Sequence, residues 1–269
     1  MNPDDIRRAV PRELFVPDTI WIRQDDGWAV PITRQNQPDD WERIVGADDE
    51  AVITQVDDGA TDRGTWPTSS GSSPEVMADM LNALDVHPGM RVLEIGTGTG
   101  YNAAVLATIA GAQNVTTVEI DPAIAAHART ALHDGGYSVH LVVADGTQGH
   151  PPNAPYDRVI VTAAAHQIPY AWVRQTKPGG LIVVPWGPTF HPDWPLCRLT
   201  VHSDGTATGK FIGPASFMPL RSQRLPQSVI HETEQRWINA GRPDCTRYGI
   251  TITDKGQHLW LDTPATPVR

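Results

Sequence analysis

Three acidic residues, Glu94, Glu119 and Asp145, recur at the ends of short apolar runs. The first stands just ahead of Gly96-Thr97-Gly98-Thr99-Gly100. A strand that passes into glycine-rich backbone opening a helix offers free amide N–H groups and the positive end of a helix dipole, which suits an anionic or polar group held at close range. A carboxylate about twenty residues beyond such a turn, here Glu119, can accept hydrogen bonds from both hydroxyls of a ribose. Asp145, with the Gly146 amide, is placed to read an adenine edge. Each acid taken singly has a plainer reading, as a helix cap or a solvent ion pair. Three of them on the carboxyl edge of one sheet point together to a nucleoside.

Two cofactor classes compete for that site. Nicotinamide and flavin dinucleotides use G-x-G-x-x-G/A, and Gly98, Gly100 and Ala103 match it in isolation. The strand residues end at Ile95, however, so the turn begins at Gly96. The sixth position from there is Tyr101, too large for the close helix-to-strand contact of a dinucleotide site. The Gly-x-Gly-x-Gly form behind Glu94 fits S-adenosylmethionine better. None of the ten histidines stands in HExxH or another tight ligand spacing, so no metal is expected.

The elements that must carry these residues follow from periodicity. "PEVMADMLNAL" opens with Ser72 or Ser73 as N-cap and Pro74 at the first helical position, and it puts Val76, Met77, Met80, Leu81 and Leu84 on one face. "RVLEI" reads as a fully buried strand, and "YNAAVLATIA" as a helix after the glycine turn. Strands at 115–120, 139–144, 155–164 and 179–186 alternate with helices at 122–135 and near "PYAWVRQT". That alternation implies βαβ crossovers and a doubly wound parallel α/β domain. Beyond residue 186 two hairpins follow, turning at Asp204-Gly205 and around Asp254-Lys255-Gly256. Most of the first 70 residues show one helix, "PDDIRRAV", and otherwise no regular period.

Composition bounds the function. The 269 residues are 40% hydrophobic and 19% charged, an ordinary globular balance, with 24 prolines concentrated near both ends. A net charge of −10 without any lysine/arginine run disfavours nucleic acid or an anionic membrane as partner. No run is long and apolar enough to span a bilayer or serve as a signal peptide, and a cytoplasmic location is expected. Cys197 and Cys245 read as small buried residues. The acid excess of the first 62 residues reads as solvated loop charge.

The segments "VPRELFVP" (10–17), "SGSSPEVMADML" (70–81), "VLEIGTGTGYNAAVLA" (92–107), "VTTVEID" (115–121), "VVADGTQGHPPNAPYDRVIVTAAAHQIP" (142–169) and "QTKPGGLIVVPWG" (175–187) resemble, in order and spacing, protein-L-isoaspartate O-methyltransferases. The resemblance implies a Rossmann-like, S-adenosylmethionine-dependent methyltransferase fold with a mostly parallel, seven-stranded sheet. The expected domain spans 71–215, between an N-terminal helix and irregular acidic cap (1–70) and a C-terminal extension with a hairpin (216–269). It further implies transfer of the methyl group of S-adenosylmethionine to a carboxylate of a peptide or protein substrate, leaving S-adenosylhomocysteine. The ester then cyclises to a succinimide. Where the family carries Thr-Ile-Ser-(Ala/Gln)-Pro over the cofactor, this chain has Ser70-Gly71-Ser72-Ser73-Pro74.

The cofactor set expected is Glu94, Gly96, Thr97, Gly98, Gly100, Tyr101, Asn102, Glu119, Ile120, Asp145, Gly146 and Thr162. On the substrate side stand Ser72, Ser73, His166, Arg221, and Val184 with Pro185, whose backbone at a strand end is expected to pair with an extended peptide. Trp186 reads as a stacking surface or equally as a core residue. A carboxylate is already ionised at neutral pH and needs no general base, so the enzyme's task is approach and desolvation. The residues from about 220 onward, including the hairpin at 248–261, resemble those of actinobacterial relatives that tailor ribosomally made peptides through an aspartimide. That reading is favoured here over general isoaspartate repair. A nicotinamide oxidoreductase and a non-catalytic binding module stand behind both.

Overall fold

The computed structural model describes residues 2–187 and 191–268. The elements in chain order are α1 (Pro3–Ala9), β1 (Thr19–Arg23), β2 (Ala29–Thr33), α2 (Pro38–Gly46), β3 (Val52–Val56), β4 (Pro67–Gly71), α3 (Pro74–Leu84), β5 (Val92–Ile95), α4 (Tyr101–Ala110), β6 (Val115–Glu119), α5 (Pro122–Asp134), β7 (His140–Val143), β8 (Tyr156–Val161), α6 (Tyr170–Gln175), β9 (Thr176–Pro185), β10 (Pro195–Val201), β11 (Ala207–Pro214), α7 (Gln227–Asn239), β12 (Tyr248–Thr253) and β13 (Gly256–Leu261). The chain divides into two compact units, Met1–Asn82 with His87–Gly89 and Thr97–Ala144, and Ala83–Val86 with Met90–Gly96 and Asp145–Arg269.

The first unit contains a four-stranded antiparallel sheet of order β2-β1-β3-β4, built from residues that show little period in the sequence. One face of it closes on Val16, Ile20, Ile32, Trp41, Ile44, Val45 and Val52, with α2 supplying Trp41, Ile44 and Val45 at helical spacing. The same unit carries α4, which is buried along nearly its whole length, and the parallel pair β6–β7 with α5. Asp121 caps α5 by accepting from the amides of Ala123 (2.9 Å) and Ile124 (3.3 Å), with Pro122 in the first turn.

In the second unit the strand order is β13-β12-β11-β10-β9-β8-β5. The β5–β8 and β8–β9 pairs are parallel, and every later neighbour is antiparallel. The α/β class is as expected. The strand count is not, because β5 to β13 number nine where the resemblance implies seven. Beyond β9, β10–β11 and β12–β13 are tight hairpins whose short turns can connect only antiparallel neighbours, while the chain passes from β11 to β12 through α7. All four strands extend the sheet edgewise beyond β9. Trp186 packs edge-on against Phe211, with ring centroids 5.9 Å apart, and is 1% exposed, which makes it a core residue. Cys197 and Cys245 are free and buried.

Candidate functional site: the glycine turn and its acids

In the first unit the turn Thr97–Gly100 is held by a carboxylate. Glu119 Oε2 accepts from the Gly98 amide at 2.9 Å, and its Oε1 accepts from the Asp121 amide at 3.1 Å. A carboxylate has about four lone-pair sites, so capacity for a ligand hydroxyl remains beyond these amides. Burial pushes the Glu119 carboxyl above its ordinary value, while the amides of Gly98, Asp121 and Ile120 pull the other way. Beneath the turn, Thr97 and Thr117 share a hydroxyl hydrogen bond of 2.6 Å. Gly100 caps α4 at φ 88°, a left-handed conformation, and a Cβ there would stand 3.2 Å from Leu132 Cγ and 3.4 Å from the Ala128 Cβ. Tyr101 and Asn102 are buried in the first turn of α4, and the Tyr101 ring lies 5.9 Å from Phe15 of the "FVP" segment. Ile120, 37% exposed, leaves an apolar surface directly after Glu119.

Over this turn lies β4. The Ser70 carbonyl is 3.5 Å from where a Cβ on Gly98 would stand, and a Cβ on Gly71 would stand 3.7 Å from the Thr99 methyl. Gln55 of β3 takes a hydrogen bond from Thr68 (2.8 Å) and reaches Asp121 Oδ2 at 3.4 Å, two residues from Glu119. The stretch Ser70–Pro74 is then fixed from below by Arg12. This guanidinium, 2% exposed, donates to five carbonyls: Val45 (3.3 Å), Ala47 (3.0 Å), Glu50 (3.0 Å), Gly71 (3.0 Å) and Ser72 (2.9 Å). Burial lowers its pKa to about 10, which leaves it charged at neutral pH. The helix cap falls to Ser73, whose hydroxyl accepts from the Val76 amide at 3.4 Å. Ser72 is held by its backbone, with its side chain half-buried.

In the second unit β5 is buried at every position, and Glu94 is fully enclosed. Gly96 adopts φ 93°, and a Cβ on it would approach Thr162 Oγ1 to 2.7 Å. The Thr162 hydroxyl donates to the carbonyls of Ile95 (3.1 Å) and Gly96, tying the end of β8 to the start of the turn. Asp145 is exposed and accepts from the Thr147 amide at 2.9 Å, so its capping role is real alongside any ligand role. Gly146 donates nothing through a side chain but accepts from Trp172 Nε1 at 2.8 Å, and a Cβ on it would sit 2.5 Å from Ile95 Cγ2. Gly146→Ala is therefore expected to cost about 1–3 kcal/mol by overpacking, read as a lower urea midpoint at unchanged slope.

Val184 and Pro185 do not offer a free strand edge. Val184 is paired with Cys197 of β10, Pro185 with Leu196, and the Pro185 carbonyl accepts from the Ala165 amide at 2.9 Å. The expectation that they pair with an extended substrate is corrected on that ground, since β9 has neighbours on both sides. His166 lies in the loop after β8. Its Nδ1 is buried without a protein partner, and burial lowers its pKa. A histidine depressed in the folded state is neutral at pH 7, and the unfolded chain takes its proton first as pH falls. Stability associated with His166 is thus present above about 6.5 and lost on acidification. A proton-detected titration should place its inflection below 6.5. Arg221 starts the short turn Arg221–Gln223, brought to the same loop by the Leu220 amide donating to the Ala164 carbonyl (2.9 Å). Arg12, Gln55, Gln223 and Gln257 were not singled out by sequence. Of these, only Arg12 stands in a segment that carries the resemblance.

A family model described as protein-L-isoaspartate(D-aspartate) O-methyltransferase matches residues 50–225. The chain belongs to that family. It is accordingly an S-adenosylmethionine-dependent methyltransferase of the protein-L-isoaspartate type. The protein-L-isoaspartate O-methyltransferase of Hyperthermus butylicus is 40% identical over 233 residues, covering 82% of each chain. That of Thermococcus onnurineus is 41% identical over 151 residues, covering 55% of this chain and 68% of its own. A solved protein-L-isoaspartate O-methyltransferase superposes with a TM-score of 0.66 at 20% identity, covering 97% of this chain and 95% of that one, which establishes a common fold. Among the described residues no helix is long and apolar enough to cross a membrane, and no group of three His, Cys, Asp or Glu gathers as a metal site.

Proposed function

We propose that this chain methylates the free α-carboxyl of L-isoaspartyl residues in damaged proteins, the repair reading, with S-adenosylmethionine as methyl donor. The observation that carries the proposal is the family match, whose residues 50–225 include Ser72, the whole glycine turn, Glu119 and His166. Peptide tailoring, favoured from the sequence additions, has no support among the relatives. The alternative does, through a relative of the isoaspartate type aligned along 82% of both chains.

The residues fit the donor by their chemistry. Close backbone at Gly98 leaves room for the methionine part, and Glu119 keeps lone pairs for a ribose diol. Asp145 with the Gly146 amide is the adenine reader we assign, and Ile120 offers an apolar surface to the base. When bound, S-adenosylmethionine supplies a methyl group on a positively charged sulfur.

The substrate carboxylate attacks that carbon in line. A carbon–oxygen bond forms as the carbon–sulfur bond breaks, the sulfur keeps the electron pair, and no proton moves. Protein groups act by holding and drying the approach. Ser72, on a backbone fixed by Arg12, is the hydroxyl we assign to the carboxylate. The ester then loses methanol when the following backbone nitrogen attacks it, closing the succinimide.

The test is incubation of aged protein mixtures with methyl-labelled S-adenosylmethionine. Repair predicts base-labile label in many unrelated proteins, rising with age of the sample. Label confined to one peptide, or absent from aged protein, would return the tailoring reading.

A further inference from the structure

Beyond residue 225, where the family match ends, the chain adds α7 and the hairpin β12–β13. One side chain of that hairpin reaches far back in the sequence. Gln257 accepts from the Ile168 amide through Oε1 at 2.9 Å and donates from Nε2 to the His166 carbonyl at 2.9 Å. Gln223 grips the same stretch, its Oε1 accepting from the amides of His166 and Gln167, both at 3.1 Å, and its Nε2 donating to the Gln167 carbonyl at 2.8 Å. His166 and Gln167 thus have both backbone groups satisfied by glutamine amides. Each amide offers the same donor and acceptor pair that a neighbouring strand would.

This loop is where recognition is expected in an open α/β sheet. It leaves the carboxyl end of β8, beyond the Thr162 hydroxyl that grips the glycine turn, and ligands bind outside the carboxyl ends of such strands. It carries the buried, partnerless Nδ1 of His166. Beside it opens a cleft of about 410 Å³ lined in part by Gln167, Tyr170, Gln223, Thr253, Lys255 and Gln257, so the two glutamines also shape the adjoining surface.

We propose that Gln223 and Gln257 are positioning residues for the acceptor peptide. They hold the His166–Ile168 backbone in one course, and through it the C-terminal hairpin sets how the peptide beside the reacting carboxylate is received. This rests on the methyltransferase reading of the site. Holding a long side chain in a single rotamer costs conformational entropy, and without the partner amides the loop regains that freedom.

The test compares the full-length protein with Gln257→Leu and Gln257→Glu. In Gln257→Leu the KM for an isoaspartyl peptide should rise about tenfold, the size of two neutral hydrogen bonds. S-adenosylmethionine affinity by calorimetry should stay within about twofold of wild type by the same reasoning, and amide exchange at Gln167 and Ile168 should quicken. Gln257→Glu keeps the acceptor for Ile168 but turns an acceptor toward the His166 carbonyl, so its KM should rise at least as much as that of Gln257→Leu. An unchanged KM, an equal loss of S-adenosylmethionine affinity, or unaltered exchange overturns the proposal. Should the unmodified chain methylate no peptide, the functional reading fails by itself. Exchange then decides the clamp alone, with faster exchange in Gln257→Leu supporting it and unchanged exchange refuting it.

Discussion

Arg12→Met should destabilise the protein by about 4–5 kcal/mol, a large loss for a substitution outside the apolar core. The side chain it replaces is almost fully enclosed and serves five carbonyls drawn from residues 45, 47, 50, 71 and 72. Methionine fills much of the same volume but donates nothing, so several buried acceptors lose their partners at roughly 1–3 kcal/mol each. Release of a buried charge offsets part of that, which is why the sum stays well below the arithmetic total. Arg12→Lys should recover a minority of the loss, because an ammonium has three donors and no planar fork with which to span five acceptors. Urea unfolding measures both variants. Arg12→Met within about 1 kcal/mol of wild type would show that the carbonyls find water or other partners and that the guanidinium is dispensable. The Ser72 segment should also loosen, visible as faster amide exchange between residues 70 and 74.

Glu119→Ala should weaken S-adenosylmethionine binding by about 10²–10⁴-fold, the equivalent of two charge-assisted hydrogen bonds to a ribose diol. Glu119→Gln is the sharper probe. Its single carbonyl oxygen can serve the Gly98 amide or the Asp121 amide, and its NH₂ then meets the other as a donor facing a donor. It should therefore bind little better than alanine despite its shape. The same carboxyl gives a pH dependence with a defined sign. Its pKa is raised in the folded protein, so binding should fade as pH drops through a value above 4.5. For stability the sign is opposite: the contribution of a raised carboxyl is present below its unfolded pKa and lost as pH rises through the folded one. Calorimetric affinity of Glu119→Ala equal to wild type would remove the ribose from this position.

The parts of the molecule legible in sequence are those whose pattern is set by burial. β5, β6, β8 and the end of β9 are enclosed, so they read as continuous apolar runs, and the helices between them keep an apolar stripe or a capping signal such as Asp121-Pro122. Glycine positions in the turn were legible because each meets a neighbour or a conformation that a side chain resists. β4 was not, since "PTSSG" is polar backbone laid over that turn and has no apolar alternation. Helix α7 buries only Thr233 and leaves no stripe to read. The clamps were hidden for a different reason. Arg12 meets carbonyls 33 to 60 residues away, and Gln257 meets the His166 carbonyl 91 residues away. Backbone acceptors carry no residue-type signature by which a sequence could announce them.

The strand-end assignment of Val184 and Pro185 failed because the sequence shows where a strand ends and says nothing about whether its edge is taken. β10 takes it on one side and Ala165 on the other.

The most direct measurement is a mass time course with S-adenosylmethionine and two peptides of one sequence, differing only in aspartyl or isoaspartyl linkage. The account predicts that the isoaspartyl peptide gains one methyl group and then loses methanol to the succinimide, while its aspartyl twin stays unchanged. Methylation of the aspartyl peptide in preference, or of neither while S-adenosylmethionine is bound, would contradict it.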